Sequence, residues 1–440
     1  MVDERTDTFG SVVVENGRIR ELIPGGDDSP AVRTAAARAA AVIEGENFGS
    51  RGGLVLMPSF VDLHAHFREA AFSAEPPGPA ETIESGCLAA AAGGYGAAVC
   101  MANTRPVTDR LEQAEALRRR AGALGLIDLY PALSLTRGME GRELSEITRL
   151  APNGGEPAPG SGANAAGGCR LISEDGKDLP NEELFLAALA AARRAGIPVS
   201  CHCDLGGEDA ATARALALAR RAGAPVHIAH VSTAGAMDLI RGAKKAGGRI
   251  TCEVTPHHIS LTEADAAALG PKSHGRVNPP LRREADRRAL IEAVAGGTVD
   301  AIATDHAPHG ETDKERGAPG FSGLETAFAV CYTALAAPEP ETPGGRISLS
   351  RLSSLMSAGP ARILGLTVPD ADPDGAPPRG FIAPGYKADL CAADLSAVWT
   401  VDPAAFKSRG KNSPFRGKTL RGKIVLTIKS GRPVFGTAPP

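Results

Sequence analysis

A chain of 440 residues with a net charge of −3 can bury a large core, and it carries no basic field suited to nucleic acid or to an anionic membrane surface. It holds no run of about 18 uncharged apolar residues, which argues against a membrane span, and the charged opening Met1-Val2-Asp3-Glu4-Arg5 leads into no secretory signal. The eight scattered cysteines read as reduced, buried thiols of a cytosolic enzyme, with Cys201 and Cys203 as packing residues beside His202.

The first 56 residues give short β-type pieces, 11–19 and 53–56, around an Ala/Arg-rich segment at 31–41. Asn16-Gly17 between strand-like runs is a tight-hairpin signal. The apolar, β-branched run 54–61 reads as one buried strand leading into Phe60-Val61-Asp62-Leu63-His64-Ala65-His66-Phe67-Arg68. Side chains two apart on a strand share a face, so His64 and His66 present their imidazoles side by side, as a divalent metal requires. An isolated pair of this kind would read as surface or core histidines. Here the rest of the chain supplies further ligands.

From 57 to 368, strand-like runs at 97–101, 126–132, 168–172, 199–202, 226–230, 250–254 and 299–303 alternate with helical runs. The helical runs fall at 81–92, 111–121, 181–195, 209–222, 234–246 and 284–295. Repeated β-then-α predicts an α/β fold, a distorted TIM-type (β/α)8 barrel with its chemistry at the C-terminal strand ends. The Pro/Gly/Ala stretch 152–168 reads as a flexible surface insertion and 369–384 as a linker. Strand-like pieces at 389–392 and 422–434 then answer the opening residues. They predict a small β-sandwich domain built from both chain ends, 1–56 and 369–440, around a barrel of 57–368.

The chemistry collects where predicted strands end. His202, His230, Asp175 and Asp305 each close or follow a strand run, so with His64 and His66 they would meet on one rim. Imidazole and carboxylate together suit two Zn²⁺-like ions sharing a bridging carboxylate. Arg68 lies on the ligand face two residues beyond His66, and its guanidinium can grip a carboxylate with two parallel bonds. For Asn103 and Asn278 the reading as ordinary turn residues is stronger than for Arg68, because Asn beside Pro or Thr is common in turns. His257 and His258 read as structural, His227 as buried on the opposite side of its strand, and His274 as a loop residue.

The segments 63–69 (Leu-His-Ala-His-Phe-Arg-Glu), 101–106 (Met-Ala-Asn-Thr-Arg-Pro), 253–258 (Glu-Val-Thr-Pro-His-His), 278–282 (Asn-Pro-Pro-Leu-Arg) and 303–309 (Ala-Thr-Asp-His-Ala-Pro-His) resemble those of bacterial dihydroorotases in the amidohydrolase superfamily. The resemblance runs from about residue 54 to the end, with five separated motifs in the family's order. It implies reversible cyclisation of N-carbamoyl-L-aspartate to L-dihydroorotate in pyrimidine (UMP) biosynthesis, with two Zn²⁺ per subunit. Carried over, His64, His66 and Asp305 would hold one ion, His202 and His230 the other, and Asp175 would bridge. A carbamylated lysine bridges in many relatives, and Lys177 is the minority alternative here. A hydroxide shared by the ions would attack the ring amide, with Asp305 carrying its proton to the leaving nitrogen.

The resemblance also assigns substrate contacts to His66, Arg68, Asn103, Asn278 and His309, and to the backbone of Pro319 and Gly320. A homodimer and an association with aspartate transcarbamoylase are expected at the family level. Two departures lie near the rim, an altered loop at 70–79 and a short segment at 203–209. They keep open a related cyclic-amide hydrolase such as a hydantoinase, dihydropyrimidinase or allantoinase. A catalytically silent transcarbamoylase scaffold is the third reading, although this chain retains all six candidate ligands.

Overall fold

Asn16-Gly17 does close a hairpin. Both residues take positive φ, 52° and 74°, and join β1 (Gly10–Glu15) to β2 (Arg18–Pro24) with Glu15 opposite Arg18. In this computed structural model the described residues are 1–26, 29–45, 53–71, 81–151, 168–269, 275–340, 342–368 and 376–436. Outside them lie 152–167 of the expected insertion, 72–79 of the altered loop, His274, and the first residues of the 369–384 linker. The Ala/Arg-rich segment forms a helix, Pro30–Arg38, capped by Ser29 and burying none of its residues.

The apolar run expected as a single strand makes two. β3 (Leu54–Pro58) pairs with the C-terminal sheet, and β4 (Phe60–Ala65) enters the barrel. The switch falls at Ser59, whose N–H bonds the Asp389 carbonyl, while the next N–H, of Phe60, bonds Gly94. Pro58 has no N–H to continue the first ladder.

The barrel comes from two parallel sheets. β4, β5 (Tyr95–Cys100) and β6 (Asp128–Pro131) form one; β7 (Ile172–Ser173), β8 (Val199–Cys201), β9 (Val226–Ile228), β10 (Ile250–Val254) and β11 (Ala301–Ile302) form the other. Parallel bridges Leu133–Ile172 and Ala65–His306 join the sheets at both seams, closing eight strands. Strands of two or three residues make the barrel distorted. Helices fill the expected gaps at Ile83–Ala92, Leu111–Leu124, Glu182–Ala195, Glu208–Ala222, Ala234–Lys245 and Glu284–Ala295. Thr82, Asn181 and Thr233 cap three of them, and left-handed glycines 125, 196 and 223 end three.

β12 (Leu390–Thr400) and β13 (Thr419–Lys429) run antiparallel, flanked by β3 and β14 (Arg432–Phe435). The β1–β2 hairpin joins this layer: Ile19 N–H bonds the Tyr386 carbonyl, and Ile19 packs with Leu390, Leu426 and Ile428. Both chain ends thus contribute strands to one small β layer. Under the barrel it meets a buried ion cluster: Asp128 and Asp389 face Arg379, Lys387 and Lys429.

Candidate metal centre

The six side chains expected at the rim converge. Asp175 Oδ1 is 3.0 Å from His64 Nε2 and 3.7 Å from His202 Nδ1, and its Oδ2 is 3.6 Å from His66 Nε2. Asp305 Oδ1 lies 3.2 Å from His66 Nε2 and 3.7 Å from His64 Nε2. His230 completes the set, its Nε2 3.0 Å from His202 Nδ1 and its ring centre 5.0 Å from that of His64. Two triads, His64/His66/Asp305 and His64/Asp175/His230, bring one donor atom per residue within 4.8 Å of the others. All six residues are buried.

One atom tests whether this cluster suits a cation. His64 Nε2 is buried and makes no hydrogen bond, although Asp175 Oδ1 is 3.0 Å away. A ring nitrogen and a carboxylate oxygen that close, misaligned for a proton between them, are placed to share a metal ion. The donor set of imidazoles and carboxylates is consistent with that.

Short strands leave several of these rim residues on turning backbone. Arg68, His230 and Asp305 are non-glycine residues at positive φ, 55°, 32° and 46°. Strain of this kind persists only where the surroundings impose it, and it gathers at functional sites. Around Asp305 the neighbouring backbone is held by Asp62, buried on β4. Its Oδ1 accepts from the N–H of His64 and of Thr304, its Oδ2 from the Thr304 hydroxyl, and that hydroxyl oxygen in turn accepts from His306 N–H. His66 N–H bonds the His306 carbonyl at 2.8 Å. The two histidines are thereby fixed against Asp305.

Glu253 is a second support. Its carboxylate lies 3.2 Å from His64 Nδ1 and 3.0 Å from His227 Nε2, and it accepts from His230 N–H. His227 is buried, as expected, but it is not remote: through Glu253 it belongs to the centre's own network. His306 bonds Glu81 through Nε2 and accepts from Gly323 N–H at Nδ1.

Charge follows the geometry. Burial alone would raise Asp175 and Asp305; His64, His66 and their neighbours outweigh it and hold both carboxyls well below the usual range. Burial likewise opposes a charge on His64, but Asp175, Glu253 and Asp305 push its pKa up. His230, buried beside His202 and His64, is pushed down to about 3 and is neutral at pH 7.

The residues expected to contact substrate divide. Arg68 donates to the Pro308 carbonyl at 3.3 Å, and its guanidinium lies 3.3 Å from His309 Nε2. His309 Nε2 is 2.7 Å from the Pro319 carbonyl, and Gly320 follows directly. Burial and the neighbouring Arg68 push His309 down to about 4, so it is a neutral ring. These four residues form one wall. Asn278 stands elsewhere on the rim, its amide 3.2 Å from His202 Nε2. Asn103 has both ends of its amide engaged, Oδ1 with His66 Nδ1 at 2.9 Å and Nδ2 donating to Asp175 Oδ2 at 2.9 Å. A second N–H and a second lone pair of that amide remain for a further partner.

The amidohydrolase family model matches residues 55–434. A dihydroorotase of Anaeromyxobacter dehalogenans (strain 2CP-1 / ATCC BAA-258) is 37% identical over 97% of this chain and 93% of that protein. A dihydroorotase of Syntrophus aciditrophicus (strain SB) is 36% identical over 87% of this chain and 88% of that protein. The chain belongs to the amidohydrolase family, among its dihydroorotases. Among solved structures, the L-hydantoinase (dihydropyrimidinase) from Arthrobacter aurescens superposes with a TM-score of 0.79 over 100% of this chain and 95% of that one. At 22% identity that likeness speaks for the barrel fold alone.

As a member of the amidohydrolase family the chain is a hydrolase of cyclic amides, and its family is metal-dependent. Of the two candidates for the bridging position, Asp175 stands inside the ligand cluster. Lys177 points away, its Nζ donating to the Met139 carbonyl at 3.0 Å. All eight cysteines are free and buried, Cys201 and Cys203 among them. No described helix is long and apolar enough to cross a membrane. Asp62 and Glu253 are the functional supports that motif spacing does not single out.

Proposed function

We propose that this chain interconverts L-dihydroorotate and N-carbamoyl-L-aspartate at a centre of two Zn²⁺ ions. The observation that carries the reading is Asp175, whose two oxygens face His64 and His202 on one side and His66 on the other. His64, His66 and Asp305 would hold one ion, His202 and His230 the second, with Asp175 common to both. When bound, such ions would acidify water and polarise the ring amide carbonyl.

The chain's own residues supply binding and proton transfer. Arg68 grips the substrate carboxylate, with neutral His309 beside it and the Pro319–Gly320 backbone along the ring. Asn278 and Asn103 complete the rim. Asp305 turns Oδ1 toward His64 and His66, and takes a proton from the attacking water at Oδ2. As the ring C–N bond breaks, that proton passes to the leaving nitrogen, so Asp305 acts as base and then acid. The cyclisation direction reverses each step.

Eight free, buried thiols support a cytosolic setting. The division into residues 1–56, 57–368 and 369–440, a homodimer and an aspartate transcarbamoylase partner remain part of the same proposal. The deciding experiment counts metal on the purified protein and follows ring opening of L-dihydroorotate, with hydantoin as the comparison. Two zinc ions with dihydroorotate turnover support the reading. Turnover of hydantoin alone would make it a different cyclic-amide hydrolase, and neither metal nor turnover would make it a scaffold.

A further inference from the structure

Between β12 and β13 the chain leaves the small β layer and sends residues 407–415 back to the barrel rim. Asn412 lies within this excursion, buried, and both polar atoms of its side chain are engaged on the wall around His309 and Gly320 rather than in its own layer. Its Oδ1 accepts from His309 N–H at 3.0 Å and from the Ser322 hydroxyl at 3.1 Å. Its Nδ2 donates to the Gly320 carbonyl at 2.9 Å and reaches the Ala307 carbonyl at 3.4 Å. Its backbone carbonyl accepts from Ser322 N–H. One side chain thus ties the strand-end segment 307–309 to the segment 320–322.

Lys314 meets the same point from the other side. It is 1% exposed and no carboxylate pairs with it among the described residues. Its ammonium spends its three donors on the carbonyls of Arg276, Ala318 and Gly320, at 3.1, 2.9 and 2.9 Å. The ammonium also lies 5.4 Å from the centre of the Phe321 ring. A buried cation without a carboxylate partner is costly, and its bonds to carbonyls fix backbone in return. The Gly320 carbonyl therefore receives two donors, while Gly320 N–H bonds the Arg276 carbonyl at 2.9 Å. Gly320 itself sits at φ +137°, where an added Cβ would come 2.6 Å from that of Ala307. A side chain does not fit at position 320, and Asn412 and Lys314 hold its backbone through two donors to one carbonyl.

We propose that Asn412 and Lys314 are positioning residues for substrate recognition: they hold Gly320 and His309 in register with Arg68, so that the wall fits a carboxylate-bearing ring. This rests on the reading of Arg68, His309 and Gly320 as substrate contacts. Neither residue touches a metal ligand directly, so their loss acts on binding rather than on the centre.

The test uses full-length, metal-loaded protein and L-dihydroorotate. Wild-type turnover comes first, because its absence would overturn the functional reading itself, independently of Asn412. Given turnover, Asn412→Ala and Lys314→Met are each expected to raise KM about tenfold or more, with kcat within about threefold and the metal count unchanged. Asn412→Ser, which keeps a shorter donor and acceptor, is expected to recover part of the KM and serves if the alanine variant does not fold. A KM within twofold of wild type in the folded variants would overturn the proposal. So would a fall in kcat at constant KM, or loss of metal, since a general structural defect would move those instead.

Discussion

The carboxylate of Glu253 stands 3.2 Å from Nδ1 of His64, and it decides which nitrogen of that ring is left to bind a metal. Glu253 is ionised, since His227 and His64 outweigh its burial and hold its carboxyl at about 2. It therefore accepts the proton on Nδ1, so Nε2, which faces Asp175 and Asp305, is the nitrogen that gives up its proton when a metal binds.

Replacing Glu253 by Gln removes the charge and keeps the shape. The expected result is a 10–100-fold weaker hold on metal, in line with the loss of a carboxylate behind a ligating histidine. Competition with a chelator measures it. Metal affinity equal to that of the wild type would show that Glu253 only fills space.

Arg68 brings its guanidinium to the rim 3.3 Å from His309 Nε2, where the proposed substrate carboxylate would lie. Arg68→Met should lower kcat/KM for L-dihydroorotate by roughly a hundredfold, about 2.7 kcal/mol, because a carboxylate loses a charge-assisted partner. Arg68→Lys should recover little of it, since an ammonium cannot reproduce the guanidinium's two parallel donors. Steady-state kinetics on both variants, with metal content checked, gives the answer. Full activity in Arg68→Lys would mean that charge alone suffices.

Beneath the barrel, Asp389 is buried against Lys429 at 2.9 Å and Arg379 at 3.4 Å, and its Oδ1 accepts from Ser430 N–H. Burial opposes its charge, but Lys429, Lys387 and Arg379 prevail and depress its pKa, as they do for Asp128. A carboxyl depressed in the fold and ordinary, near about 3.9, in the unfolded chain stabilises the fold above that value. The unfolded chain takes up protons first, so this stability is lost as the pH falls below about 4. Thermal melts between pH 7 and pH 3.5 should show a steep drop at the acid end. Asp389→Asn should cost about 3–5 kcal/mol near pH 7 by leaving buried cations underpaired, and should flatten the acid slope. An unchanged slope would place the acid sensitivity elsewhere.

Much of the barrel is legible because its strands are apolar and β-branched and its helices rich in Ala, Leu and Arg. The 250–254 strand and the 284–295 helix fall where the pattern puts them. The candidate ligands are legible for the same reason, each standing where such a run stops. The rest depends on distance along the chain. Glu253 meets His64 across 189 residues, Asp62 meets Thr304 across 242, and Asn412 meets His309 across 103. No local pattern carries such pairings, and Glu, Asp and Asn in isolation look like ordinary surface residues. The break of the 54–61 run at Ser59 is hidden too, because apolar residues flank it on both sides and only their strand partners differ.

Asp175 is the residue on which the account turns, and metal stoichiometry tests it most directly. Purified wild-type protein should carry two zinc ions per chain and open L-dihydroorotate. Asp175→Ala, folded as judged by its melting curve, should retain at most one ion and no measurable turnover. Two ions still bound after that substitution would contradict a carboxylate shared between them.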